Sequence, residues 1–393
     1  MAIRFLTAGE SHGPQLTTIL EGMPAGVPIT AAHIRQELAR RQKAYGAGGR
    51  MSIEKDAARI TAGVMDGHST GGPIALNIIN KDWQNWRERD IAPMTTPRPG
   101  HADLTGAVKY GYRELRLALE RASARETAAR VAAGALCKQY LAQFGIVVQG
   151  YVTAIGPVSV ALPATMSWQQ RFELAESNDL RCPDVQAVEK MRALVSATMQ
   201  RKDTIGGVFE IIALNLPVGL GSHVHWDRRL SARLLAAVGS IHAIKGVEIG
   251  PAFENATLPG SQVHDEMFLD DAGNIIRHSN RAGGLEGGMT TGEPLILRAA
   301  MKPISTVLNP RQSVNLATGQ AEVTTYERSD FNAVPRAVVV GEAMVALVLA
   351  DALLAKLGGD SLAEQLPRFR SLRRARLQDL PMNNQPWRFG FDD

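Results

Sequence analysis

Two histidines in this 393-residue chain stand where packing does not require them. His12 lies in Gly9-Glu10-Ser11-His12-Gly13, which follows a short apolar run, residues 3–6, that reads as a strand. His101 lies in Arg98-Pro99-Gly100-His101-Ala102-Asp103, at the end of a polar, proline-rich loop over residues 83–99. Imidazole exchanges a proton near neutral pH, and neighbouring glycines let the backbone approach a ligand closely. A third candidate is Asp330, in Arg328-Ser329-Asp330 at the mouth of a long apolar helix, where it reads equally as a base or as half of an ion pair. Taken alone, residues 9–13 read as well as a surface turn. The pattern recurs, however, in the Gly-rich loop 278–288 and in Lys302-Pro303-Ile304-Ser305-Thr306, which puts a cation and two hydroxyls at a strand end.

The cations are clustered. Residues 40–50 carry Arg40, Arg41, Lys43 and Arg50 with no acid, broken by Gly46, Gly48 and Gly49; residues 109–130 carry six cations against three acids. Guanidinium groups grip phosphate or carboxylate in a bidentate manner. These clusters are interleaved with Gly, Ser and His inside the folded part of the chain. That favours a small polyanion in a pocket over nucleic acid, which calls for aromatic platforms among the basic residues. The net charge of +4 agrees with acidic partners without choosing among them.

Composition narrows the class further. At 45% hydrophobic the chain can bury a sizeable core. Two cysteines, Cys137 and Cys182, exclude a disulfide framework and a Cys-rich zinc site, so no metal is expected. The first residues lack the layout of a signal peptide, and a cytoplasmic location is expected. Residues 337–355 are long enough to span a membrane. Glu342 and Asp351 and the Ala/Val content argue instead for a buried central helix, and no membrane partner is expected.

The elements that must position these groups follow from periodicity. Residues 3–6 and 16–20 read as strands on either side of the His12 turn, and Thr30 opens a helix running to Gln42. Residues 59–80 read as a glycine-rich turn feeding an alternating strand, Ile74, Leu76 and Ile78. Residues 283–299 repeat that design without a gap: 63–67 lie over 284–288 and 69–76 over 290–297. The repeat implies internal pseudo-symmetry. Ser123 and Glu126 form a capping-box pattern that predicts a helix over 123–145, with Arg121, Ser123 and Arg125 gathered at an anion-attracting N-terminus. A further helix is expected from Asp227 to Gly246, with His242 and Ala243 in its last turn, and a buried one over 335–357. The arginine-rich residues after 360 read as a solvated, partly ordered extension.

Residues 9–13, 98–103, 120–134, 280–292, 302–306 and 328–350 together resemble the signatures of the chorismate synthase family over about residues 1–360. The resemblance implies an α+β fold, a β-α-β sandwich with a helical layer between antiparallel sheets. It implies one domain over 1–360 followed by a basic C-terminal extension, 361–393. The implied activity is the anti-1,4-elimination of phosphate from 5-enolpyruvylshikimate-3-phosphate to give chorismate, with reduced FMN and no net redox change, usually in a homotetramer. By the same resemblance His12 acts as general acid near the leaving phosphate, His101 protonates the flavin, and Asp330 works with the flavin in removing the ring proton. Ser11, Arg41, Arg50, Arg98, Arg125 and Arg328 hold substrate anions. FMN is held by Arg121, Ala122, Ser123, His242, Ala243, Gly287, Lys302, Pro303, Ile304, Ser305, Thr306 and Arg328. Arg41 and the second position after Tyr45, directly following Gly46, belong to a nicotinamide-nucleotide contact. Many members have arginine at that second position; here it is Ala47, so a monofunctional enzyme that receives flavin already reduced is expected.

Overall fold

The computed structural model describes residues 2–48, 55–327 and 329–390; Arg50 and Arg328 lie outside the described residues. Two antiparallel sheets enclose a layer of helices. The first sheet has the order Arg4–Ala8, Gln15–Glu21, Ile74–Ile79, Ala58–Ala62. Its alternation is strict: Leu16, Thr18 and Leu20 point inward, as do Ile74, Leu76 and Ile78, because successive side chains leave a strand on opposite faces. The second sheet has the order Ile244–Ile249, Leu295–Met301, Gly207–Leu214, Val147–Ile155, Val158–Ser159.

Four helices fill the space between: Ala31–Gln42, Thr127–Ala142, Leu230–Gly239 and Val334–Leu357. Thr127–Ala142 packs on the first sheet and Val334–Leu357 on the second, and the two pack on each other. A helix covered all round must be apolar all round, which is why Val334–Leu357 resembles a membrane span by composition while lying inside the fold. Its one fully buried charge, Glu342, meets Arg40 at 2.7 Å, Lys138 at 2.5 Å and the Gly150 N–H at 2.9 Å. The two helices approach closely at Gly134, where a Cβ would fall 2.3 Å from the Ala343 Cβ.

The pseudo-symmetry is present in the backbone. Val64–Met65 pairs with His68–Ser69, and Leu285–Glu286 pairs with Met289–Thr290, each hairpin leading into a sheet strand. Gly63 and Gly284 share φ of +82°, and a Cβ on either would strike the carbonyl of Pro73 or Pro294. The Ser69 hydroxyl donates to Pro24 and accepts from Val27; the Thr290 hydroxyl donates to Pro217 and accepts from Leu220.

Three expectations need correction. Ser123 caps a short 3-10 turn, Ala124–Glu126, rather than the helix proper, which begins at Thr127. No capping box closes, because the Glu126 carboxylate takes the Thr7 hydroxyl and Arg130 instead. The helix expected over 227–246 covers only Leu230–Gly239; His242 and Ala243 form a turn beyond it, with Ala243 at φ +65°, and Gly246 lies in a strand. The segment after 360 is not wholly solvated: Leu362–Arg370 is a helix with a complete Ser361–Glu364 capping box, and its Gln365 accepts from the buried Tyr140 hydroxyl at 2.8 Å.

Candidate active site

Turns at the ends of these elements converge on one cavity of about 580 Å³, within the size range of small-molecule sites, roughly 300–1,000 Å³. Ser11 and His12 enter from the turn after the first strand. This turn depends on Gly9, at φ +110°, where a Cβ would lie 2.4 Å from the Gln15 carbonyl oxygen. Six lining side chains are cationic, Arg41, Arg89, Arg98, Arg125, Lys302 and Arg336, against the two carboxylates Glu327 and Asp330. Such a wall selects an anion with several charges.

Three of these cations, Arg41, Arg98 and Arg125, are held by buried partners. Asp56, with no exposed side-chain surface, lies 2.5 Å from Arg125 and 3.2 Å from Arg41. Arg125 Nε also donates to Asn80 at 2.9 Å, and Arg41 Nε to Thr127 at 3.0 Å. Burial lowers the Arg41 pKa to about 10, and the neighbouring Arg125 and Arg336 oppose the pull of Asp56. Arg41 therefore stays charged at neutral pH. Arg98 forms a fork with Asp103 (2.8 and 2.9 Å) and donates to Thr306 at 3.0 Å.

The two histidines have parallel settings. His101 Nδ1 lies 2.6 Å from Asp103, and His12 Nδ1 lies 2.7 Å from Glu120. Burial works to raise the Asp103 pKa, but the bonds from Arg98 and His101 outweigh it and hold this carboxyl well below the usual range. Asp330 accepts the Gly48 N–H at 2.8 Å and Arg336 Nη1 at 2.6 Å.

Of the residues singled out in the sequence, Ser11, His12, Arg41, Arg98, His101, Ala122, Ser123, Arg125, His242, Ala243, Lys302, Ile304, Ser305, Thr306 and Asp330 line this cavity. Three do not. Arg121 turns its guanidinium to the Thr7 carbonyl and hydroxyl, both at 2.9 Å. Pro303 lies between two lining residues. Gly287 sits at a hairpin tip beside His223 and Met289, at the far end of the Leu230–Gly239 helix from His242. Ala47 adjoins the lining residue Gly48. Arg50 and Arg328 lie outside the described residues.

Sequence reasoning missed Arg336, Trp86, Arg89, Glu120 and Asp56. Arg336 had a signal, a lone cation at the entrance to an apolar helix. Two buried polar features point to an absent ligand. Arg336 Nε and Nη2 have no partner among the described residues, and neither does His242 Nδ1. Burial lowers the His242 pKa to about 4, so it presents a neutral ring.

A family model described as chorismate synthase matches residues 3–354. Chorismate synthase of Aquifex aeolicus is 51% identical over 383 residues, covering 93% of this chain and 96% of its own length. That of Geobacter sulfurreducens is 52% identical over 379 residues, with 92% and 96% covered. A solved structure titled as a crystal structure of chorismate synthase superposes with a TM-score of 0.78 at 45% identity, covering 94% of this chain and 97% of that one.

Proposed function

The chain belongs to the chorismate synthase family, and from that premise we propose that the cationic cavity is where it performs the family reaction. The enzyme is a lyase of the shikimate pathway: it eliminates phosphate and a ring proton from 5-enolpyruvylshikimate-3-phosphate to give chorismate. The observation that carries the placement is the cavity wall of six cations interrupted by two histidine–carboxylate pairs. The substrate brings a phosphate and two carboxylates, and a buried guanidinium binds such groups more strongly than an exposed one.

In this reading Arg41 and Arg125, pre-set by Asp56, hold substrate anions together with Arg98, Arg336 and Ser11. Arg50 and Arg328 join them as the resemblance implies. His12 gives a proton to the departing phosphate. Asp330, fixed by Gly48 and Arg336, assists removal of the ring proton. His101 is a proton source at the cofactor, fixed in place by Asp103.

Reduced FMN fits the residues present. The orphaned His242 Nδ1, the neighbouring Ala243, and the run Lys302, Ile304, Ser305 and Thr306 line one side of the cavity. Burial and the nearby Lys245 lower the Lys302 pKa, as expected for a cation short of an anionic partner. When bound, the reduced flavin supplies electron density to the ring from which phosphate leaves. With Ala47 in the basic loop, the enzyme is read as receiving flavin already reduced, so NADPH alone should not sustain turnover. We extend the proposal to a cytoplasmic homotetramer. Leu6, Ile19 and Ile79 stand exposed on the outer face of the first sheet, and sedimentation velocity reads the assembly directly.

The test is anaerobic turnover with chemically reduced FMN, following chorismate absorbance and phosphate together. Equal release of both, absent with oxidised FMN, is expected. Flavin binding without turnover would overturn the assignment of this cavity.

A further inference from the structure

One carboxylate holds residue 12 from behind through two bonds. Glu120 Oε1 lies 2.7 Å from His12 Nδ1, and Glu120 Oε2 accepts the His12 backbone N–H at 2.7 Å. The Glu120 carbonyl accepts the Ser11 N–H at 3.1 Å. Trp86 covers the ring with centroids 4.3 Å apart, and its indole N–H donates to the buried Asp82 at 3.1 Å. Turning the imidazole over would break a charge-assisted bond.

We propose that Glu120 is the positioning residue for proton delivery by His12: by accepting the Nδ1 proton it makes Nε2 the nitrogen that passes a proton into the cavity. The proposal deepens, and rests on, the reading of His12 as the acid for the leaving phosphate. In that step the Nε2–H bond breaks and an O–H bond forms on the phosphate oxygen, which keeps the electron pair of the broken C–O bond. The ring is left neutral, its remaining proton still on Nδ1 against Glu120.

Glu120 is suited to this in a way Asp103 is not. Asp103 is committed to Arg98 through three bonds, whereas among the described residues the ion pair of Glu120 is with His12 alone. Burial works to raise the Glu120 pKa, but the bonds from His12 and the nearby Arg116 outweigh it, so the carboxylate stays ionised. Among the described residues, the other charges near His12 include Glu10 on its own turn, Asp82 and Arg89 on the loop that carries Trp86, Arg125 beyond Ser11, and Arg116 beside Glu120.

The test measures kcat and KM of the holoenzyme. Glu120→Gln should lower kcat by about 10–100-fold, the range seen for carboxylates that orient a metal-ligating imidazole, with little change in KM. Glu120→Asp keeps a carboxylate behind the ring and should retain more of kcat than the Gln variant; if the Gln variant does not fold, the Asp variant's loss, measured with and without His12→Ala, decides. In a His12→Ala background, Glu120→Gln should cost no more than about twofold. Equal losses in both backgrounds, or a raised KM with an unchanged kcat, would reduce Glu120 to a structural residue. A fully active His12→Ala would sink the reading of the site itself; an inactive His12→Ala with a fully active Glu120→Gln would sink only the positioning.

Discussion

Replacing Asp56 by asparagine removes one buried negative charge and almost no volume. Asp56 lies 3.2 Å from Arg41 and 2.5 Å from Arg125, and its side chain has no exposed surface. At an effective dielectric of about 20, a pair of unit charges near 3 Å interacts by about 5 kcal/mol. Part of that is offset by desolvation, and breaking a buried pair from one side costs about 3–5 kcal/mol. Arg41 and Arg125 keep their bonds to Thr127 and Asn80, so the loss is of charge balance and not of geometry. Unfolding entropy of about 2.1 cal/mol/K per residue, over 393 residues, gives about 0.8 kcal/mol/K and a fall in Tm of about 4–6 °C. Differential scanning fluorimetry with and without inorganic phosphate is the assay. The variant should melt lower and recover part of the loss when phosphate takes over as counter-ion, by more than the wild type gains. A shift under about 1 °C, or one indifferent to phosphate, would refute the idea that Asp56 neutralises the arginine pair.

Gly134→Ala should destabilise, although alanine is the better helix former by about 1 kcal/mol. Its Cβ would fall 2.3 Å from that of Ala343, and overpacking of this kind costs about 1–3 kcal/mol; a raised Tm would show that the helices part freely. For Glu342, burial works to raise the pKa, but Arg40 and Lys138 outweigh it and bring it to about 2. A folded-state pKa below the unfolded one gives stability that is complete above about 4.5 and is lost as pH falls toward 2. Glu342→Gln should therefore lower Tm at neutral pH and flatten the decline in Tm on acidification. A variant curve parallel to wild type would contradict this.

What the sequence determined by itself was local. Alternation placed the strands around residues 16–20 and 74–78, because the faces of a strand are set by a period of two. The two-fold recurrence of the glycine-turn-strand design survived into matching backbone angles at Gly63 and Gly284, because a positive φ can be met cheaply by little else. Acid–base groups and clustered cations were legible as types, and the resemblance gave them an order.

Tertiary structure decided which charges meet. His12 and Glu120 are 108 residues apart, Arg98 and Thr306 208, and Arg40 and Glu342 302. No local period encodes such pairs; they form only when the sheets close on the helical layer and water is excluded, which makes an unpaired buried charge costly. The same closure shortened the helix expected over 227–246 and drew Glu126 away from Ser123 to Thr7 and Arg130. It also turned Arg336, one residue at the edge of an apolar stretch, into a wall of the cavity. The identity of the acids and cations was written in the chain, but their partners were set by packing between segments far apart in sequence.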